Sequence, residues 1–259
     1  MLAEKIKTKL KKGQPSIGTW MSIAHPSIAE ILAMAGYDWV VVETEHTAID
    51  VSEVLRLIIA IEQRGSIPLV RLAGIDPIQA KAVLDSGAAG IIVPMVNTKA
   101  EAALAVAMAK YPPLGTRGVG LARAQGYGVD FDHYVKNAND NTLVIVQIEH
   151  IDAVNNIEEI LSVPGIDGTF IGPYDLSMSL GVPGQLSHPD VVAAKEKVLK
   201  AVLKKGLAAG IHFVQPSTAL SDCEAAVKAG YTFISVGTDI LFLGDSARSL
   251  QAALQKSIG

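Results

Sequence analysis

The chain has 259 residues, of which 49% are hydrophobic, 19% charged and 5% aromatic, so it can bury a large aliphatic core and is not intrinsically disordered. Its 22 basic and 26 acidic residues give a formal net charge of -4, and this balance argues against a nucleic-acid partner. A single barrel of strand and helix pairs typically needs about 250 residues, so we predict one domain over residues 1–259.

The cysteine content and the apolar runs limit the cellular setting. Cys223 is the one cysteine of the sequence, which excludes a disulfide framework and a thiolate metal cluster. The longest apolar runs, such as residues 39–42, are far shorter than the roughly 20 residues of a membrane span, and no apolar leader follows Met1. We therefore expect a cytoplasmic protein without a membrane partner.

Eight short runs rich in β-branched residues alternate with helical patterns, which is typical of parallel strands joined by helical crossovers. The predicted strands cover residues 16–22, 39–45, 67–72, 90–95, 143–149, 168–173, 208–214 and 233–238. The helices between them are predicted to begin near Ser27, Val51, Asp76, Lys99, Asp152, His188, Ser217 and Ile240. Eight such units predict a (β/α)8 TIM barrel of the α/β class, preceded by a short N-terminal helix.

An open, doubly wound sheet is the alternative architecture. No Gly-x-Gly-x-x-Gly turn follows the first strand, so neither a nucleotide nor a flavin cofactor is expected. The longest irregular stretch, residues 111–130, contains Pro, Gly and Arg and follows a helix. We predict that this stretch is an active-site loop.

Several predicted strands end in or lead into polar residues, and the carboxyl ends of barrel strands meet at one mouth where catalytic groups lie. The candidate residues at these strand ends are Glu43, Glu45, His46, Arg71, Gln147, Glu149, Gly172, Pro173, Tyr174 and Asp175. Gln147 and Glu149 are two positions apart and therefore share one strand face. Glu149 together with Asp175 would suit Mg²⁺ or Mn²⁺, while a buried ion pair between Glu149 and Arg71 is the alternative.

Arg71 and His46 are the candidates for substrate binding and proton transfer. The planar donor fork of Arg71 suits a substrate carboxylate, although a structural pair with Glu149 or Glu45 is nearly as well supported. His46 follows Glu45 and lies three residues from Glu43, a spacing at which a carboxylate can orient an imidazole for acid/base work. His25 and His212 remain candidates for lining the mouth, with no assigned role.

The distribution of lysine separates two types of carbonyl chemistry. A Schiff-base enzyme needs a desolvated lysine amine on a strand. All lysines of this sequence fall outside the eight predicted strands, which favours a metal-dependent route.

Several short motifs together resemble one known family. They are AGYDW at residues 35–39, EH at 45–46, PLVR at 68–71, VPMV at 93–96, YPPLGTRG at 111–118, VQIE at 146–149 and FIGPYDLS at 170–177. On these motifs the chain resembles the metal-dependent class II pyruvate aldolases of the HpcH/HpaI type, over nearly its whole length. That family includes 2,4-dihydroxyhept-2-ene-1,7-dioate and 2-keto-3-deoxy-sugar-acid aldolases.

The resemblance implies a barrel of the phosphoenolpyruvate/pyruvate type in which Glu149 and Asp175 hold a divalent metal, Mg²⁺, Mn²⁺ or Co²⁺. The metal would chelate a 2-keto acid near Gln147, and Arg71 would steady the developing enolate. It also implies that His46 transfers protons and that Asp85 and Arg123 serve the histidine network and acceptor recognition. Such proteins generally assemble as homohexamers, trimers of dimers with exchanged C-terminal helices.

Two positions depart from the family pattern. Glu43 stands where an aspartate is usual before the histidine, so its longer side chain changes how His46 is held. Tyr174 replaces a smaller residue before the metal aspartate, and with Gly172 and Pro173 it would shape the substrate pocket.

The resemblance implies cleavage of 4-hydroxy-2-keto acids to pyruvate, or hydroxypyruvate, and an aldehyde, together with the reverse aldol addition. Oxaloacetate decarboxylation or a citryl-type acyl lyase reaction in the same enolate site is the nearer alternative. A barrel that binds keto acids without catalysis is the more distant one.

Overall fold

A computed structural model describes residues 2–258 and contains a closed barrel of eight parallel strands. The strands are β1 (Ser16–Met21), β2 (Trp39–Glu43), β3 (Ile67–Arg71), β4 (Gly90–Val93), β5 (Leu143–Ile148), β6 (Gly168–Ile171), β7 (Ala208–Phe213) and β8 (Phe233–Thr238). Each strand pairs in parallel with the next, and β8 closes the barrel on β1. The predicted (β/α)8 architecture is confirmed.

Helices surround the barrel and connect its strands. They are α1 (Leu2–Lys11), α2 (Pro26–Met34), α3 (Val51–Gln63), α4 (Pro77–Asp85), α5 (Lys99–Ala109), α6 (Phe131–Asn141), α7 (Ile151–Asn155), α8 (Ile157–Ile160), α9 (Pro173–Ser179), α10 (Pro189–Lys204), α11 (Ala219–Ala229) and α12 (Asp239–Ile258). The N-terminal helix is present as predicted, and the eight predicted starts fall within two residues of observed ones. Within residues 2–258, no helix is both long and apolar enough to cross a bilayer.

Local sequence signals determine where these helices begin. The side chains of Asp50 and Thr98 each accept a hydrogen bond from the backbone N–H three residues on, and the glutamate at that position accepts one from the backbone N–H of the cap residue. These capping boxes satisfy amide groups that have no partner inside the helix. Asp76 caps α4 ahead of Pro77, whose missing N–H costs nothing in the first turn.

Strand side chains alternate between two apolar layers, which explains why the strands read as continuous hydrophobic runs. Val40 and Val42 pack between the barrel and its helices, whereas Trp39 and Val41 pack inside the barrel. Gly18 leaves the space for the Trp39 ring, since a Cβ at residue 18 would lie 2.1 Å from a ring carbon. Apolar side chains thus fill the interior of the barrel below its C-terminal mouth, and the polar groups lie at the mouth.

Seven of the eight predicted strands extend one or two residues too far at their C-terminal ends. At the end of β2, the Glu43 side chain accepts hydrogen bonds from the backbone N–H groups of Glu45 and His46. Those amides therefore leave the sheet ladder, and the chain turns into the mouth.

The predicted active-site loop at residues 111–130 lies, within one chain, at the N-terminal end of the barrel. It follows α5 and precedes α6, and it includes 3₁₀ turns over Arg123–Gly128. Arg117 pairs with Asp85 at the end of α4, and Arg123 pairs with Glu62 near the end of α3. Because barrel helices run back from the mouth, these helix ends lie far from the C-terminal ends of the strands.

Candidate active site

A cavity of about 360 Å³ opens at the C-terminal mouth of the barrel. It is lined by Trp20, Ser22, Glu43, His46, Arg71, Gln147, Phe170, Ile171, Gly172, Pro173, Tyr174, Asp175, His212, Val214, Thr238 and Ile240. Eight of the ten candidate residues at the predicted strand ends therefore line one cavity. Glu149 lies beside it, hydrogen-bonded to Gln147.

Arg71 is the fixed positive charge of the cavity. The β2–β3 register places it directly opposite Glu43, and its Nε lies 2.6 Å from Glu43 Oε2. Its Nη1 lies 2.8 Å from Glu45 Oε2, and its guanidinium carbon lies 4.6 Å from the centre of the Trp20 ring. Of the structural pairs considered from the sequence, the Glu45 pair is present. The Glu149 pair is not among the ion pairs of the described residues.

Glu43 holds the backbone beside His46 rather than the imidazole, which corrects the role considered from the sequence. Its Oε1 lies 2.6 Å from the Glu45 nitrogen and 3.1 Å from the His46 nitrogen, and its Oε2 binds Arg71. The long glutamate side chain bends back over its own turn, so both oxygens are occupied by other groups.

The carboxylate nearest the His46 ring is Glu45, with Nε2 and Oε2 3.8 Å apart. Burial raises the pKa of Glu45, and the nearby Arg71 charge opposes that rise. The His46 side chain is 66% exposed, so its ring can reach a ligand at the opening of the cavity.

Glu149 is a buried carboxylate held by two donors. Its Oε1 accepts a hydrogen bond of 2.8 Å from the Met95 N–H, and its Oε2 accepts one from Gln147 Nε2. Burial raises the pKa of Glu149 to about 7, the Met95 bond opposes this, and the charges of Glu45 and Asp175 add to it. Burial therefore disfavours the charged form of Glu149, and the donor of Met95 only partly offsets this.

The side chains around Glu149 fit a hard divalent cation. Gln147 Oε1 is buried and has no hydrogen-bond partner, and the exposed Asp175 lines the cavity nearby. Oxygen donors of this kind suit Mg²⁺ or Mn²⁺, whose remaining positions are filled by water and substrate. Residues 2–258 hold no cluster of three or more His, Cys, Asp or Glu side chains arranged for a metal. The protein would therefore supply two carboxylates and an amide oxygen.

Gly172 makes room for this arrangement. A Cβ at residue 172 would lie 2.7 Å from Glu149 Oε2 and 3.0 Å from Gln147 Nε2. The next residue, Pro173, begins α9, whose first turn carries Asp175. The strand end and helix start therefore bring Asp175 to the cavity without crowding Glu149.

Two further groups were missed by sequence reasoning. Met95 has φ of 52°, a left-handed conformation that is unusual for a residue with a side chain, and it directs its N–H to Glu149. No local sequence signal indicates that conformation. Trp20 follows Gly18 on the same strand face, and that alternation would have placed its ring toward the barrel interior.

The two histidines without an assigned role differ in position. His25 caps α2 through its Nδ1 at 3.2 Å from the Ser27 nitrogen. His212 lines the cavity and stacks on Trp20 with ring centres 5.1 Å apart.

Asp85 and Arg123 do not join the other site residues within one chain. The Asp85 carboxylate lies 2.6 Å from Arg117 Nη2, and Arg123 Nη1 lies 3.2 Å from the Ser86 carbonyl oxygen. Both lie at the N-terminal end of the barrel, because α4 ends there. The roles that the resemblance implies for these two residues at the histidine therefore stay predictions, and they require a neighbouring subunit to bring the residues to the mouth.

Lysine is not among the residues that line the cavity. Lys110 is buried, and burial lowers its pKa to about 8, but its amine donates to the carbonyl oxygens of Asn139 and Thr142 at the end of α6. That lysine therefore stabilises a helix end on the N-terminal side of the barrel.

Comparison with known proteins agrees with this geometry. The profile of the HpcH/HpaI aldolase/citrate lyase family matches residues 16–244. The chain belongs to this family. It is 42% identical over 248 residues to a 4-hydroxy-2-oxo-heptane-1,7-dioate aldolase of Salmonella heidelberg (strain SL476), an alignment that covers 95% of this chain and 92% of the relative.

Two solved structures extend the comparison. A family protein from Burkholderia cenocepacia J2315 is 36% identical, with a TM-score of 0.90 and coverage of 98% of this chain and 99% of the other. The citrate synthase SbnG is 30% identical, with a TM-score of 0.84 and coverage of 99% and 98%. The family predicted from the motifs is confirmed.

Proposed function

We propose that this HpcH/HpaI family member cleaves 4-hydroxy-2-keto acids to pyruvate, or hydroxypyruvate, and an aldehyde, and catalyses the reverse aldol addition. One observation carries the proposal. Arg71 faces the same cavity as Asp175 and Gln147, with the buried Glu149 hydrogen-bonded to Gln147. A cation site beside a fixed guanidinium is what a reaction that passes through an enolate requires.

Glu149 and Asp175, with Gln147 Oε1, are the groups that would hold a divalent ion, Mg²⁺, Mn²⁺ or Co²⁺. Such an ion, when bound, supplies Lewis-acid polarisation of a substrate carbonyl. The hydrogen bond from Met95 keeps Glu149 in place, and the absence of a side chain at Gly172 leaves its Oε2 uncrowded. These residues thus preorganise the ligand oxygens before substrate arrives.

Arg71 stabilises negative charge on the donor half of the substrate, which is the keto-acid part that leaves as pyruvate. Its pairs with Glu43 and Glu45 fix the plane of the guanidinium in the cavity wall. A positive group held in this way need not reorganise when the bond between C3 and C4 breaks and charge develops on the pyruvate enolate. Arg71 therefore contributes to every reaction that forms the same enolate.

His46 is the proposed base that removes the proton from the C4 hydroxyl during cleavage. The exposed ring lines the cavity, and the Glu45 carboxylate lies 3.8 Å from its Nε2. In aldol addition the imidazolium would return this proton to the new alkoxide.

A second reaction class shares this site. Resemblance to the citrate synthase SbnG at 30% identity favours enolate chemistry with other acceptors, and oxaloacetate decarboxylation needs the same donor half. Purified protein should be incubated with a 4-hydroxy-2-keto acid, oxaloacetate or citryl thioester, and the products should be identified. An aldehyde formed with pyruvate supports the aldolase. Turnover of the other substrates without any aldehyde product would contradict it.

The resemblance to the family also supports a homohexamer. On the loop that contains Arg123, Val119, Leu121 and Val129 are 57%, 72% and 94% exposed, as expected of a surface covered by another subunit. Asp85 and Arg123 would then reach the mouth of a neighbouring subunit.

Mixing inactive His46→Ala subunits with inactive Arg123→Ala subunits should restore activity through sites that have both residues intact. No recovery in demonstrably mixed oligomers would contradict this assembly.

A further inference from the structure

His212 occupies a part of the cavity wall that the proposed mechanism does not use. It lies on β7, stacks on Trp20 with an interplanar angle of 10°, and lies 6.5 Å from Phe170 between ring centres. Its neighbours in the cavity wall include the apolar Val214 and Ile240. The ring is therefore held in one orientation by aromatic contacts.

The hydrogen bonding of His212 determines its tautomer. Nε2 lies 3.0 Å from the Gly237 carbonyl oxygen, and a carbonyl can only accept, so the proton of the neutral ring is on Nε2. Burial lowers the pKa of His212 to about 4, the Gly237 bond opposes this, and the Arg71 charge adds to it. At neutral pH the ring is uncharged, and Nδ1 carries a lone pair.

Nδ1 of His212 has no hydrogen-bond partner among the described residues. It does not belong to the buried side-chain atoms without a partner, so the atom itself is not buried. The atom is therefore open to the cavity that His212 lines. A neutral imidazole with this pKa is a poor proton carrier at pH 7. Its fixed lone pair can instead accept a hydrogen bond from a hydroxyl of the ligand.

We propose that His212 recognises a hydroxyl group on the aldehyde half of the substrate, so that hydroxyaldehydes are preferred over aldehydes with a methyl group in that place. This inference rests on the proposed aldolase function. The keto acid would bind to Arg71 and the cation site, and we assign His212, Val214 and Ile240 of the same cavity lining to the acceptor. Among these three residues, His212 Nδ1 is the side-chain atom that can accept a hydrogen bond from the ligand.

The test compares two acceptors that differ by one hydroxyl and one methyl group. Initial rates of addition of pyruvate to glycolaldehyde and to propanal give kcat/KM for each, and their ratio is compared between variants so that intrinsic reactivity cancels. His212→Phe keeps the ring against Trp20 and removes both nitrogens. It should lower the ratio of glycolaldehyde to propanal by about tenfold, the effect of one neutral hydrogen bond.

Matched variants separate recognition from general damage to the cavity. Ile240→Ala removes apolar contact from the same wall and no polar group, so it should not lower the ratio of glycolaldehyde to propanal. His212→Leu is the second test if His212→Phe fails to fold, as judged by circular dichroism. A ratio unchanged in a folded His212 variant would overturn the role of His212 while leaving the aldolase function intact. Absence of aldol product from wild-type protein with both acceptors would overturn the aldolase function and the inference with it.

Discussion

Glu43 binds the side chain of Arg71 and not the imidazole of His46: Arg71 Nε lies 2.6 Å from Glu43 Oε2. The other carboxylate oxygen binds the backbone N–H groups of Glu45 and His46. One glutamate therefore orients the guanidinium of the donor half and stabilises the turn that carries the proposed base.

This relationship predicts that Glu43→Gln resembles Arg71→Lys. Loss of the carboxylate charge frees the guanidinium, and lysine keeps the charge but lacks the planar fork. Both variants should slow aldol cleavage and oxaloacetate decarboxylation together, by roughly 10² or more in kcat/KM. Exchange of the pyruvate methyl protons with deuterium measures enolate formation alone, because it needs no aldehyde. Exchange at the wild-type rate in Arg71→Lys would show that Arg71 does not act on the enolate.

His46→Ala should affect the two reactions differently. Removal of a C4 hydroxyl proton is needed for aldol cleavage but not for decarboxylation, so cleavage should fall by roughly 10² to 10⁴ while much of the decarboxylase rate remains. Equal losses in both reactions for His46→Ala would instead place this residue in enolate or metal binding.

Gly172→Ala tests the space beside the buried carboxylate. The added Cβ would lie 2.7 Å from Glu149 Oε2, and displacement of a ligand atom by about 1 Å can cost roughly 10²-fold in rate. We expect a folded protein with about that loss and weaker Mn²⁺ binding by electron paramagnetic resonance. Gly74→Ala is the control, because a Cβ there meets nothing within 4 Å. Equal activity of the two variants would contradict the proposed role of Gly172 beside Glu149.

His212 also predicts a pH dependence of stability. Its pKa is lowered to about 4 in the folded chain from 6.5, so between these values the unfolded chain binds more protons. The contribution of His212 to the free energy of unfolding is therefore present above pH 6.5 and is lost as the pH falls toward 4. Urea unfolding at pH 7 and pH 5 should show a smaller decrease for His212→Phe than for wild type. The same decrease in both would contradict a neutral, buried His212.

The barrel and most of its mouth were predictable from sequence, because strand periodicity and strand C-terminal ends are local signals. The eight β-branched runs located β1 to β8, and Gln147 and Glu149 were placed on one face by alternation alone. The direction of α4, which is also available from the sequence, places Asp85 at the opposite end of the barrel from His46 of the same chain.

The remaining features depend on competition between tertiary contacts. From the sequence alone, Glu43 could pair with either the His46 ring or Arg71. Only the β2–β3 register selects Arg71. The N–H of Met95, whose backbone is left-handed, binds the Glu149 carboxylate at the end of the adjacent strand β5, which no neighbouring residue of Met95 indicates. Such choices are made by residues far apart in the chain.

The most direct test of the proposed function is the rate of pyruvate release from a 4-hydroxy-2-keto acid by protein freed of metal. Treatment with EDTA followed by removal of the chelator should abolish turnover, because Glu149 and Asp175 provide only part of a coordination shell and the ion should be removable. Addition of Mg²⁺, Mn²⁺ or Co²⁺ should restore turnover in wild type and not in Glu149→Gln. Full activity in a rigorously metal-free sample would contradict the account.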